Sequence, residues 1–121
     1  PPSGEDFWVL FKSAKNYYIE EKYDLALEVL LKAEKNSEDL GDIPNSALSN
    51  LYFWMGRVYC KLENFTEAID RFKKAVELRP KNIEVIRELG IALFLDGNLL
   101  EAESVFRRIL EISPDDKISH Y

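Results

Sequence analysis

A period of 34 residues runs through the second half of this 121-residue chain. Gly56 pairs with Gly90, Asn64 with Asn98, Glu67 with Glu101, Ala68 with Ala102, Phe72 with Phe106 and Pro80 with Pro114, all at that separation. A fixed period of this length implies one supersecondary unit copied in tandem, because such a unit cannot bury its apolar face alone and must stack on its neighbour. Within a unit the apolar residues recur at helical spacing: Tyr52, Met55, Tyr59 and Leu62, then Phe65, Ala68, Ile69, Phe72, Ala75 and Val76. Each unit therefore reads as two amphipathic helices.

The punctuation agrees. Asn64 and Asn98 stand at helix starts with a glutamate three residues on, the arrangement in which side chain and backbone amides cap each other. Pro80 and Pro114 fall where a helix has to end, since proline lacks the amide proton and steers its predecessor away from helical angles. Gly56 and Gly90, inside apolar stripes, predict close approach between paired helices.

These residues resemble the tetratricopeptide repeat family. Its pattern of an aromatic residue, a Leu-Gly pair and a tyrosine, then Ala-x-x-x-Phe and a closing proline, is met by Tyr52, Met55, Gly56, Tyr59, Ala68, Phe72 and Pro80. It is met again by Ile86, Leu89, Gly90, Leu93, Ala102, Phe106 and Pro114. A degenerate first unit carries Leu10, Ser13, Ala14, Tyr17, Ala26 and Leu30, without the glycine or the proline. Ala26 and Ala68 are 42 apart, so eight residues are inserted near Asp39 to Ser46. Gly41 reads as a C-cap, Asp42 as an N-cap and Pro44 as first-turn, so the insertion lengthens the two flanking helices. The expected helices lie near 5–20, 23–39, 44–62, 65–79, 83–96 and 99–112. The expected architecture is all-α, a single domain over 5–116 with units at about 7–48, 49–82 and 83–116, stacked into a right-handed superhelix. Residues 117–121 read as the start of a further, truncated helix.

The resemblance implies that the first helix of each unit lines a concave groove. The residues it places there are Trp8, Phe11, Lys12, Lys15 and Ile19; then Asn50, Phe53, Trp54, Arg57 and Lys61; then Glu84, Arg87, Glu88, Ile91 and Leu95. Five basic and two acidic side chains give this stripe +3 within a chain of net charge −6. The expected partner is thus a protein segment, peptide or helix, with apolar anchors and acidic side chains. Phe11 and Phe53 read equally well as filling under the first hairpin, and the cations as a solvated face with helical neighbours. Trp8 and Trp54 read as anchors.

Members of the family that hold the C-terminal carboxylate of heat-shock chaperones do so with a lysine, two asparagines, a lysine and an arginine. The matching positions here are Phe11, Lys15, Trp54, Glu84 and Glu88. All five depart, and two would repel a carboxylate, so a chaperone tail is not the expected ligand.

Other functions find little footing. The acidic balance offers no attraction for nucleic acid, and no apolar run reaches the roughly 20 residues of a membrane span. One cysteine, Cys60, cannot form an internal disulfide, which fits a reducing cytoplasm. No nucleophile and base, carboxylate pair or metal-ligand spacing is visible, and His120 is the sole histidine, so neither catalysis nor a cofactor is expected. Asn64-Phe65-Thr66 matches a glycosylation sequon, but Asn64 is more simply a cap. Asp115-Asp116 reads as a helix start. Cys60 reads as a small hydrophobe, with a redox-sensitive thiol as the alternative. Leu99, Leu100, Val105, Phe106, Ile109 and Leu110 make the last helix more apolar than a capping helix. Either further repeats or end-to-end self-association through that helix is expected. The expected function is a protein-interaction scaffold or adaptor that binds a partner's peptide or helix in the groove; the alternatives are a structural oligomerisation element using the stacking faces and a regulatory domain of a larger protein.

Overall fold

The computed structural model describes residues 7–114. Six helices follow one another: α1 (Phe7–Ile19), α2 (Tyr23–Leu40), α3 (Asn45–Lys61), α4 (Phe65–Leu78), α5 (Ile83–Leu95) and α6 (Leu99–Ile112). There is no strand among the described residues. The expectations placed on residues 5–6 and 115–121, including the Asp115-Asp116 helix start, the truncated helix and His120, lie outside them.

Each helix pairs with its successor as an antiparallel hairpin, and the hairpins stack. α3 also touches α1 and α5 directly, whereas the backbones of α2, α4 and α6 stay apart. The crowded row α1, α3, α5 therefore lies inside the curve and α2, α4, α6 outside it, the right-handed superhelix of a helical-repeat protein.

Three identical turns join the hairpins' halves. The amides of Lys22, Asn64 and Asn98 bond the carbonyls of Tyr17, Tyr59 and Leu93 at 2.8, 2.8 and 2.9 Å. The amides of Glu21, Glu63 and Gly97 bond Tyr18, Cys60 and Phe94 at 3.0, 2.9 and 3.0 Å. This doubly bonded helix ending needs a left-handed residue. It is Glu21 (φ 60°), Glu63 (φ 60°) and Gly97 (φ 87°) in turn. The degenerate first unit thus closes as the other two do.

The small-residue reading holds with a sharper cause. A Cβ on Gly56 would lie 2.5 Å from the Phe72 ring, and one on Gly90 would lie 2.6 Å from the Phe106 ring. It is therefore a phenylalanine ring on α4 or α6 that rests on the glycine, rather than backbone on backbone. The first unit has Ala14 and Leu30 at these positions, both buried in one cluster, a larger floor under a smaller lid.

Two capping expectations change. Asn64 Oδ1 accepts from the Glu67 amide at 3.5 Å, but Asn98 makes no cap and instead donates through Nδ2 to Asp96 at 3.0 Å. Its Glu101 pairs with Lys73 across the stack at 3.0 Å. Asp42 is not the N-cap of α3. Pro44, extended at φ −60° and ψ 149°, fills that position, because its carbonyl already accepts from Ala47 and Leu48. Gly41 caps α2 as expected, left-handed at φ 75°. The sequence pattern did not single out Asn82, which caps α5 by accepting from the Val85 amide at 3.2 Å.

The core forms two clusters. One joins α1, α2 and α3 through Phe7, Leu30, Leu51 and Met55. The other joins α3 to α6 through Phe72, Ile86, Leu93 and Ile109. Leu27, Tyr52 and Trp54 pack against both, so they mark the junction of the first two hairpins. The Ser49 hydroxyl adds a buried bond to the Ala75 carbonyl at 3.0 Å, tying the start of α3 to the end of α4.

Candidate functional site: the inner face of α1, α3 and α5

Offsets of 42 and then 34 residues set Lys15, Arg57 and Ile91 at one level of the three inner helices, and Lys12, Trp54 and Glu88 at the level before. The insertion between the first units thus leaves their inner faces in register. Where those levels meet, α1 and α3 assemble a cluster of rings and cations. Trp54 lies edge-on to Tyr18 with ring centroids 5.1 Å apart. Lys15 Nζ sits 5.7 Å from the Trp54 ring centroid and 5.4 Å from that of Phe11. The Arg57 guanidinium is 4.8 Å from Trp54, 5.1 Å from Tyr18 and 5.5 Å from Phe53. A cation over a ring face is held by the ring quadrupole without losing its hydrogen-bonding capacity. Among the described residues neither Lys15 nor Arg57 makes an ion pair.

The stripe expected from the sequence separates into parts. Lys12, Lys15, Asn50, Lys61, Glu84, Ile91, Ile19 and Leu95 are exposed on it, and Trp54, Arg57, Arg87, Glu88 and Phe11 are half-buried. Phe53 is 6% exposed and packs on Phe72, so it is core and supports Trp54 from beneath rather than facing solvent. Trp8 is 54% exposed. It joins the cluster only indirectly, edge-on to Phe7 at 5.0 Å, with Phe7 reaching Phe11 at 5.9 Å. Tyr18 is a member that sequence reasoning missed. The signal was its place three residues after Lys15, on the side of α1 turned to α3.

α5 brings the opposite charge. Burial raises the Glu88 carboxyl above its usual range, Arg57 opposes that shift, Glu84 adds to it, and Arg87 and Lys61 oppose it. Glu88 thus lies within electrostatic reach of Arg57 across the α3–α5 boundary, without an ion pair between them. The same surroundings govern Cys60. Burial, then Glu88, pushes its thiol up to about 11 against a weaker pull from Lys61. So little of it is thiolate near neutrality, which removes the basis for a reactive thiol. Among the described residues no group of three or more histidine, cysteine or carboxylate side chains is placed to hold a metal, and no helix is long and apolar enough to cross a membrane.

Comparison with known proteins agrees with the fold. Residues 56–97 fit the model of the TPR repeat, the tetratricopeptide repeat. A homolog of BBSome complex member BBS4 from Drosophila melanogaster is 37% identical over 73 residues, which are 59% of this chain and 15% of that protein. A TPR repeat-containing protein of Methanocaldococcus jannaschii is 32% identical over 81 residues, 67% of this chain and 14% of that one. The chain thus spans only a small part of those relatives. Among solved structures, YrrB, described as a TPR protein with an unusual peptide-binding site, superposes with a TM-score of 0.82 at 25% identity, covering 98% of this chain and 57% of that one. The first TPR of Spaghetti (RPAP3), solved with the HSP90 peptide SRMEEVD, superposes at 0.77 and 23% identity, covering 98% and 90%, a likeness of fold. Residues 56–97 thus carry the tetratricopeptide repeat, and all six helices share the fold of tetratricopeptide-repeat domains.

Proposed function

We propose that this chain is a protein-interaction module that receives a segment of a partner protein on the α1–α3–α5 face and performs no chemistry itself. The observation that carries this reading is the cluster of Lys15 and Arg57 on Trp54 and Tyr18, two cations held over rings with their hydrogen-bonding groups uncommitted. Such a surface offers apolar area and charge-assisted donors together, which suits a segment with an apolar anchor and acidic side chains. Solved relatives in fold hold chaperone peptides. Here Glu84 and Glu88 stand at two of the positions that would meet a terminal carboxylate, so an internal segment fits better than a chain end. The units at 7–48, 49–82 and 83–116 act as one domain in this reading. The single cysteine and the acidic chain fit a reducing cytoplasm.

Affinity capture with the wild-type chain beside Lys15→Glu and Arg57→Glu variants tests it. The proteins retained by wild type should be lost from both variants while circular dichroism stays unchanged; retention of the same set by all three would overturn the reading. Trp54→Ala is less decisive, because Trp54 packs against both core clusters.

Self-association is a second reading, favoured by the apolar end of the stack. Leu100 is 87% exposed, and Leu99 and Phe94 are more than half exposed. The rest of that helix is less available than its sequence implies, since Ile109 is buried and Val105, Phe106 and Leu110 are half-buried. Light scattering over a dilution series should show a dimer that Leu100→Lys dissociates; a monomer at every concentration would remove this reading.

A further inference from the structure

The inner face is polarised from its first helix to its last, and the inference that follows rests on the interaction reading above. α1 contributes Lys12 and Lys15, and α3 contributes Arg57 and Lys61. α5 contributes Glu84, Arg87 and Glu88, two carboxylates against one half-buried guanidinium, then Ile91 and Leu95, at spacings that keep them on one face. Arg57 lies within electrostatic reach of the Glu88 carboxyl, whereas Lys15 sits 5.4 Å from the Phe11 ring centroid and 5.7 Å from that of Trp54 and makes no ion pair among the described residues. An acidic side chain is therefore best received at the α1 edge. It is repelled at the α5 edge, where the open carboxylate Glu84 lies beside Glu88.

Packed helices sit about 8–10 Å apart, which separates α1 from α5 by roughly 16–20 Å. An extended chain advances about 3.3 Å per residue, so roughly five or six residues cross the face. We infer that the face takes an extended, charge-ordered segment lying across the three helices. A carboxylate meets Lys15 and an apolar side chain covers Trp54 midway. A lysine or arginine with an apolar neighbour then meets Glu84, Glu88 and Ile91 about five or six residues from the acid. A uniformly acidic segment fails at α5 and a uniformly basic one fails at α1, so it is the order of charges that is selected rather than net charge.

Display of random twelve-residue peptides against the full chain tests this, with enriched peptides measured by fluorescence anisotropy. Lys15 and Glu84 are both exposed, so Lys15→Glu and Glu84→Lys should fold, which circular dichroism checks. Enriched peptides should share an acid and a base at that spacing. Lys15→Glu should weaken them roughly tenfold, the worth of one charge-assisted contact, and exchanging the peptide's acid for lysine should restore binding. Glu84→Lys should do the same at the basic end. Peptides whose binding depends on Arg57 but which show no acid-to-base order would overturn the charge-ordered ligand while leaving the interaction face intact. Enrichment of no peptide, or binding indifferent to Lys15, Arg57 and Glu84 alike, would overturn both.

Discussion

Gly56 and Gly90 occupy the same position in successive hairpins, yet a methyl group should be tolerated differently at the two. Phe72 is fully buried, so its ring has nowhere to retreat from a Cβ at 2.5 Å. Phe106 is only half-buried and has solvent on one side. Gly56→Ala should therefore cost about 1–3 kcal/mol, the usual range for overpacking a filled site, and Gly90→Ala clearly less, read from urea unfolding midpoints. Equal losses would mean that backbone separation, rather than the ring, sets the tolerance. Cys60 offers a second test, since burial has raised its thiol to about 11. Alkylation by iodoacetamide should be slow near neutrality and accelerate as pH climbs through 9 toward 11; fast labelling at pH 7 would contradict its burial beside Glu88. At this scale the sequence stripe has a limit. Phe53 and Trp54 are adjacent aromatic residues on one helix, and periodicity cannot decide which turns inward when both border the buried arc. Phe72 beneath Phe53, and Tyr18 and Arg57 around Trp54, make that choice.

The helix boundaries were legible because apolar spacing, prolines and Gly41 all marked the same ends, and the eight-residue insertion lengthened α2 and α3 as its turn residues implied. The turns were less legible. Nothing in Glu21 or Glu63 announces a left-handed residue, since only the third copy spends a glycine there. That conformation costs a residue with a side chain about 1–2 kcal/mol. Glu63→Gly should then stabilise the fold by about 0.5–1 kcal/mol once the glycine's extra unfolded-state freedom is deducted. A lower midpoint in urea would show that the turn carries no such strain. Arg71 was equally hidden, because its role depends on how two elements meet. It bonds Asp70 at 2.8 Å, lies 3.7 Å from Glu67, and reaches Glu34 of α2 at 3.8 Å while resting over Tyr59 at 5.8 Å. Thirty-four residues on, Val105 replaces it, so this brace joins the first two hairpins alone. A double-mutant cycle of Arg71→Ala with Glu34→Ala should yield a coupling of about 1 kcal/mol, less than a fully buried pair because solvent still reaches both. A value near zero would leave the hairpins held by Leu27, Tyr52 and Trp54 packing only.

Stacking turns these local features into a surface. One helix cannot gather Lys15, Tyr18, Trp54, Arg57 and Glu88; three in register can, and the 42- and 34-residue offsets keep them in register across a lengthened first unit. Charged side chains line the face, so complexes formed there should weaken as salt shortens the screening length from about 10 Å at 0.1 M. The architecture was readable from the period alone, whereas the neighbours of each side chain depend on hairpin packing that no period encodes. The claim that most needs testing is that partners dock on the inner row. A titration of isotope-labelled protein with a display-selected peptide, followed by amide and indole chemical shifts, tests it most directly. Shifts should concentrate at Lys15, Tyr18, the Trp54 indole, Arg57 and Glu88, and a set confined to α2, α4 and α6 would contradict it.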